Sequence, residues 1–252
     1  MDIATRQSRI FAMLNASGRV AVASLSDQFG TSEQTIRKDL RTLERAGKAV
    51  RVHGGAVRAP AVDYIDYEHR KLIAAPQKAA IGRICARLIP DGATVFINAG
   101  TTTEQAALAL RDHAGLRVIT DNVGLSDKLR AFPGVEVLIA GGRVRSSDGA
   151  IVGEQAVSFI RQFRVDFALI GAAAIEEDGA LLDHDLREAQ VATAIIETAR
   201  HVILSADHTK FGRTAPVCIG QIGQMNSVVT DRTPPPAAAA ICAAHDVRVL
   251  TP

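Results

Sequence analysis

The stretch Gly92–Arg111, GATVFINAGTTTEQAALALR, sets the frame for most of the chain. Val95, Phe96 and Ile97 make a short apolar run of strand type. Ala99–Thr103 supplies a turn of small residues, and Ala106, Ala107 and Leu110 give the next segment a helical stripe. A strand, a loop and a helix N-terminus in that order form a potential anion site. Gly100 permits close backbone approach, the hydroxyls of Thr101, Thr102 and Thr103 can donate, and the first amides of a helix lack internal partners. Phosphate is the expected ligand. The alternative is a structural cap, since Thr-rich turns also close helix ends and no GxxxxGK[ST] is present.

Downstream the same alternation continues. Strand-like runs at Leu116–Thr120, Val135–Ile139, Phe167–Ile170, His201–Leu204, Ser227–Val229 and Val247–Leu250 alternate with helical segments at Val123–Leu129, Gly153–Gln162, Arg187–Ala199 and Pro236–Ala244. Upstream, Pro76–Leu88 is amphipathic, with Ile81, Ile84, Cys85 and Leu88 on one side. The pattern predicts an α/β domain over 76–252, a mostly parallel sheet covered on both faces, with ligands gathering beyond the C-terminal strand ends. Asn98, Gly100–Thr103, Asp121, Asn122, Arg143 and Lys210 fall at those ends. The threonines suit a phosphate, Arg143 and Lys210 its counter-charge, and Asn98, Asp121 and Asn122 the hydroxyls of a short polyol. Lys210 has Asp207 as an alternative partner, and Asp148 and Glu154 stand ready to pair with Arg143 and Arg145. Asp183, His184, Asp185, Arg187 and Glu188 form a second polar cluster, either a helix cap with surface ion pairs or a lid over the pocket.

The 252 residues, 47% apolar, suffice for a large core plus a small second domain. With Tyr at 2 and Trp at 0, stacking platforms are scarce, which argues against a reader of single strands or RNA. Cys85, Cys218 and Cys242 lie in apolar contexts without CxxC spacing and read as reduced core residues, so no metal or cofactor is expected. No early apolar leader or spanning run is evident, and the expected location is the cytoplasm, away from membranes.

The net charge of +2 hides an asymmetry. Residues 1–58 hold ten Lys/Arg against five Asp/Glu, whereas 59–252 hold 19 against 22. The positive end is the one expected to meet a polyanion. There, Ile10, Phe11 and Leu14 mark a first helix ended by Gly18, and Val22, Leu25 and Phe29 a second. Ser32 is a natural N-cap for a third helix with core residues Ile36, Leu40 and Leu43, closed by Gly47. Ala49–Val57, broken at Gly54-Gly55, reads as a hairpin. Three helices and a hairpin predict a winged helix-turn-helix over 1–58, whose third helix enters the DNA major groove. Ser32, Gln34, Thr35 and Arg37 are placed at its N-terminal end, the last three towards base edges. Lys38, Arg41 and Arg51 are assigned to phosphates, and His53 either to a phosphate or to fixing the wing turn. Residues 59–75, with Pro60 and YIDYEHR, lack a clean period and read as a linker or docking segment, with Tyr64 and Tyr67 free to pack.

The segment Thr35–Val57, TIRKDLRTLERAGKAVRVHGGAV, resembles the signature of DeoR-type bacterial repressors, with Lys38 in place of the commoner second arginine. FINAGTTTEQAALAL is similar to that family's FxDxGTT loop and VITDNVGLSDKL to its VxTNN segment. The resemblance runs from residue 6 to about 250 and implies a ribose-5-phosphate-isomerase-like fold for the second domain. It also implies phosphate binding at Gly100–Thr103 and a pocket contribution from Lys210. Asn98 stands where Asp is frequent, Asp121 where Asn is usual, and Ala192 where Lys often occurs.

The expected function is a non-enzymatic repressor that binds double-stranded operator DNA. It forms a homo-oligomer, dimer or tetramer, and is released by a small phosphorylated metabolite. The resemblance makes sn-glycerol 3-phosphate the preferred effector and another small sugar phosphate the runner-up. Two rivals are a sugar-phosphate isomerase using Asp121, Asp207 or Glu188 as base, and a winged protein-interaction module. The latter leaves the basic excess of the amino-terminal module without a purpose.

Overall fold

The computed structural model describes residues 2–45, 49–52, 54–58 and 67–252. It divides into two compact units, Met1–Ile65 and Asp66–Pro252. Gly47, His53 and Tyr64 lie outside the described residues.

In the first unit α1 (Ile3–Ser17), β1 (Arg19–Ala21), α2 (Val22–Phe29) and α3 (Glu33–Arg45) precede β2 (Ala49–Val52) and β3 (Gly55–Arg58). Spacings of four and three put Ile36, Leu40 and Leu43 on one face of α3. There they meet Ile10 and Leu14 of α1 and Leu25 of α2 in a single core. Each such burial contributes roughly 1.5–3 kcal/mol. A second tie is polar: Arg6 Nε of α1 donates to Asp39 Oδ2 of α3 at 2.6 Å, and Gln7 Nε2 to Oδ1 at 2.9 Å. The expected hairpin is a three-stranded sheet of order β1-β3-β2. Strand β1 is only three residues long, too short for alternation to announce it.

The second unit begins with α4 (Tyr67–Leu72) and α5 (Ala75–Leu88). It continues through β4 (Thr94–Ile97), α6 (Thr101–Leu108), β5 (Leu116–Thr120), α7 (Val123–Leu129) and β6 (Val135–Ile139). After the pair β7 (Arg143–Val144) and β8 (Ile151–Val152) come α8 (Glu154–Ile160), β9 (Val165–Ile170), β10 (Ala174–Ile175), β11 (Ala180–Asp183), α9 (Leu186–Thr198) and β12 (Ala199–Ser205). A 3-10 turn at His208–Lys210 leads to β13 (Val217–Gln221), and another at Ile222–Gln224 to β14 (Ser227–Val229), α10 (Pro236–Ala244) and β15 (Arg248–Leu250).

Seven of these strands form one sheet of order β15-β14-β12-β9-β4-β5-β6, parallel throughout. The chain runs outward from β4 to β6, then crosses back to β9 and runs outward the other way, so the order reverses between β4 and β9. That reversal is where ligands of such sheets bind. Successive residues of β4 serve opposite faces: Phe96 joins a core with Ile160 of α8, Ile195 of α9 and Cys242 of α10. Val95 and Ile97 join another with Ile81 and Cys85 of α5 and Ala106 of α6.

Three features depart from the sequence reading. Residues 67–72, inside the aperiodic stretch, form helix α4 with Tyr67 buried. The antiparallel groups β10-β11-β13 and β7-β8 flank the main sheet. Cys85 and Cys242 are buried, but Cys218 is exposed, next to the buried Ile219 on β13, where successive side chains alternate in burial. Among the described residues no helix is long and apolar enough to cross a membrane.

Candidate functional site

The loop from Asn98 to Thr103 follows β4 at the reversal of strand order. Its three threonines are not equivalent. Thr103 is fully buried, and its hydroxyl is committed, donating to Asn98 O at 2.7 Å with Gly100 O at 2.9 Å. The hydroxyls of Thr101 and Thr102 make no hydrogen bond among the described residues, so they stand beside the first amides of α6 as available donors. Gly100 has extended backbone, φ 172. Its glycine is needed for space, because a Cβ there would meet the pinned Thr103 Oγ1 at 2.8 Å.

On the neighbouring strand end Asp121 is 1% exposed, and both its oxygens are used: Oδ2 accepts from Asn98 Nδ2 at 2.8 Å and Oδ1 from Ala99 N at 2.7 Å. Burial pushes its carboxyl up to about 7, against the pull of those hydrogen bonds. Asn122 caps α7, accepting from Leu125 N at 2.8 Å while donating to Asp148 O at 2.9 Å. Asp121 and Asn122 therefore shape the loop, and their polar atoms are occupied by protein. Neither carboxylate proposed as a base at Asp121 or Glu188 stands free, since Glu188 Oε2 accepts from Arg145 Nη2 at 2.6 Å.

Arg145 also pairs with Asp148 at 2.5 Å and Asp185 at 3.3 Å, which joins the β7-β8 connection to the start of α9. The second polar cluster is thus both cap and ion-pair network: Asp185 N-caps α9 through Arg187 N. Arg143 lies exposed on β7 and makes no hydrogen bond or ion pair among the described residues, so nothing ties it to the loop. Glu154, at the start of α8, pairs with neither arginine among the described residues.

Lys210 ends the 3-10 turn after β12. It forms no ion pair with Asp207, whose Oδ1 accepts from Thr209 N at 2.9 Å. Burial holds the Lys210 ammonium down, to about 8, with Asp207 pulling it up and Arg70 and Lys78 pushing it further down. The two cations in that relation were not among the sequence candidates. Lys78 had a signal: it stands three residues before Ile81 on the apolar face of α5, where it is 2% exposed. Arg70 had none, lying in the aperiodic stretch. Helix α5 reaches this place because Gly82 lets it approach α6; a Cβ there would lie 2.6 Å from the Gln105 carbonyl. Helix α4 is fastened to α6 by Tyr67, whose hydroxyl donates to Glu104, and Glu104 also takes Lys128. Burial pushes the Glu104 carboxyl up, and hydrogen bonds from Lys128 and Tyr67 more than reverse it.

In the first unit Ser32 caps α3, its Oγ accepting from Thr35 N at 3.2 Å and lying 2.9 Å from Thr35 Oγ1. Gln34, Arg37, Lys38 and Arg41 are exposed on the face opposite Ile36 and Leu40, with Thr35 half-buried beside them. Arg37 Nη2 pairs with Glu33 Oε2 at 2.6 Å. An exposed i,i+4 pair of this kind is worth roughly 0.3–0.5 kcal/mol, little enough for a phosphate or base to displace. Arg51 on β2 is tied to Glu44 at 2.6 Å, and that hydrogen bond holds the Glu44 carboxyl below its usual range.

Residues 6–61 match the DeoR-like helix-turn-helix domain and residues 73–232 the DeoR C terminal sensor domain. The chain is 38% identical to the glycerol-3-phosphate regulon repressor of Escherichia coli (strain K12) over 97% of each chain. It is 40% identical to the repressor of that name from Haemophilus influenzae over 93% of this chain and 91% of that one. It is also 36% identical to the HTH-type transcriptional repressor CsqR of Escherichia coli (strain K12) over 98% and 95%. Among solved structures, eIF2B beta from Chaetomium thermophilum matches 68% of this chain and 54% of its own at TM-score 0.46 and 20% identity. Ribose 5-phosphate isomerase from Plasmodium falciparum matches 53% of each at TM-score 0.38 and 10% identity.

Proposed function

We propose that this chain, which belongs to the DeoR family of helix-turn-helix regulators, represses genes of glycerol-3-phosphate metabolism and is released from operator DNA by sn-glycerol 3-phosphate. The observation that carries the ligand assignment is the pair of uncommitted hydroxyls on Thr101 and Thr102. They stand at the N-terminus of α6, where the strand order reverses. Those donors and the helix amides take the phosphate, Lys210 supplies counter-charge, and Asn98 offers its remaining polar atom to the glycerol hydroxyls. The loop Asn98–Thr103 carries no aromatic side chain to shelve a nucleotide base, which favours a short ligand.

On DNA, Gln34, Thr35 and Arg37 read base edges in the major groove, while Lys38, Arg41 and Arg51 hold phosphates. The second unit assembles the homo-oligomer, which presents paired heads to two half-sites. Effector and operator then oppose one another: if ligand weakens DNA binding, DNA weakens ligand binding by the same factor. A regulator of another sugar-phosphate pathway is the second reading; the near-equal identity to CsqR, a repressor whose name carries no effector, keeps the glycerol-3-phosphate names from deciding the ligand. Titrating sn-glycerol 3-phosphate, glycerol, fructose 6-phosphate and ribose 5-phosphate against the operator complex separates them. Release by glycerol 3-phosphate alone is expected. Equal release by free glycerol would refute the phosphate site, and release only by a hexose or pentose phosphate would refute the ligand while leaving the repressor.

A further inference from the structure

Four side chains around the end of β12 are arranged in a way that the threonine loop does not account for. Asp207 is fully buried, and its Oδ2 has no hydrogen-bond partner among the described residues. Lys78 is 2% exposed, and its Nζ donates to the backbone carbonyl of Arg70 at 2.5 Å. Arg70 has a buried Nε without a partner, lies with its guanidinium 5.5 Å from the Tyr67 ring centroid, and stands 3.7 Å from Asp148 Oδ2. Lys210 makes no ion pair among the described residues.

This cluster adjoins the loop. Gly171, at the end of β9, has both Ser205 O and Thr103 Cγ2 about 4 Å from the position its Cβ would take. The main chain reaches Asp207 two residues after Ser205. Asp148, which faces Arg70, also accepts from Asn122 through its carbonyl. Lys78 and Lys210 both feel the half-satisfied Asp207 carboxylate and both feel Arg70, whose own partner, Asp148, is already engaged by Arg145 at 2.5 Å. Burying an excess of positive charge is costly unless an anion completes the set. Burial holds the Lys78 ammonium down, with Asp207 pulling it up and Arg70 pushing it further down.

We infer that Arg70 and Lys78 are effector-binding residues, which with Lys210 hold the dianionic phosphate presented to Thr101 and Thr102, and that helix α4 is a wall of the pocket. This rests on the phosphate-binding reading of the loop. The Lys78 ammonium has three hydrogens, so it can keep the Arg70 carbonyl and donate to phosphate at once. The guanidinium of Arg70 offers its unpartnered Nε–H to the same group. Bound phosphate therefore fixes both ends of the contact between α5 and α4. Helix α4 is the first element of this unit, next in sequence to the chain that leads from the helix-turn-helix. Ligand occupancy is felt there as greater order.

The test is calorimetric titration of the full-length protein with sn-glycerol 3-phosphate, ribose 5-phosphate and inorganic phosphate, beside hydrogen exchange over residues 67–74. Arg70→Gln and Lys78→Met are compared with wild type, with thermal midpoints recorded for each. The expected result is a tenfold or greater rise in Kd for both variants, and slower exchange of the α4 amides when wild type is saturated. Variants that bind the phosphate ester like wild type, or no change in α4 exchange on saturation, would overturn the inference. If Lys78→Met fails to fold, Arg70→Gln decides, since its side chain is 26% exposed and tolerates an uncharged substitute. Wild type that prefers ribose 5-phosphate refutes the glycerol 3-phosphate assignment alone, and the variants are then read with that ester. Wild type that binds no phosphate refutes the reading on which the inference rests.

Discussion

Asn98 donates from Nδ2 to Asp121 Oδ2 at 2.8 Å, joining the C-terminal ends of β4 and β5 at the two positions where the sequence departs from the FxDxGTT and VxTNN patterns. In this chain the donor lies on the loop after β4 and the acceptor, with its charge, at the buried end of β5.

The buried Asp121 carboxyl has a pH signature. Burial pushes the Asp121 carboxyl up to about 7 from an ordinary 3.8, so the folded state keeps a proton that the unfolded chain has released. The stability this contributes is complete below the unfolded value and is lost as pH rises through the folded one. Between pH 5 and 8 the unfolding free energy should fall by up to about 3 kcal/mol from this group, and Asp121→Asn should flatten the fall. Urea midpoints of both proteins at the two pH values check it; parallel declines would assign the loss to other groups.

The threonines should separate by role. Thr102→Val removes a ligand donor and should weaken effector binding by roughly 1–3 kcal/mol with stability unchanged. Thr103→Val removes a buried hydrogen bond within the loop and should lower the unfolding free energy by about 1 kcal/mol or more. Chemical denaturation and effector titration on the same two variants distinguish them; equal stability losses would contradict the committed and uncommitted hydroxyls.

Lys210 should link effector binding to protons. Its ammonium is held down to about 8 by burial, and a neighbouring phosphate raises it again. The phosphate ester is already a dianion there, its second pKa being about 6. Binding at pH 8.5 should therefore take up a fraction of a proton, and affinity should fall as pH rises further. Calorimetry in two buffers of different ionisation enthalpy measures the uptake, which Lys210→Met should reduce.

On DNA, Arg37→Ala should lose roughly 1–3 kcal/mol on the operator and relax preference at one base pair, whereas Arg51→Ala should weaken operator and scrambled duplexes alike. Fluorescence anisotropy with both duplexes is sufficient. Undiminished operator affinity in Arg37→Ala would remove that side chain from the bases.

The fragment Asp66–Pro252 should fold, self-associate and bind effector without binding operator. A fragment starting at Ala75 loses the Tyr67 contact to Glu104 along with Arg70, and should bind effector more weakly. Sedimentation showing only monomer at micromolar concentration would place assembly in the other unit.

The sequence by itself determined the parts whose signals are local. The apolar run Val95–Ile97 beside a small-residue turn announced the loop at the strand end, and the spacing of Ile36, Leu40 and Leu43 announced the third helix, because side chains three or four apart share a helix face. Thr35–Val57 carried the family resemblance. What the tertiary structure decided rests on partners distant along the chain. Asn98 meets Asp121 across 23 residues, and Tyr67 meets Glu104 across 37. Asp121, Asn122 and Thr103 look from sequence like free ligand-binding groups, but the fold occupies their polar atoms with protein. Arg70 and Lys78 belong to the segment before the sheet, and only the close approach of α5 to α6 at Gly82 brings them to the strand ends. Hydrogen-bond satisfaction is a property of the folded neighbourhood, and periodicity, which reports one element at a time, carries no record of it.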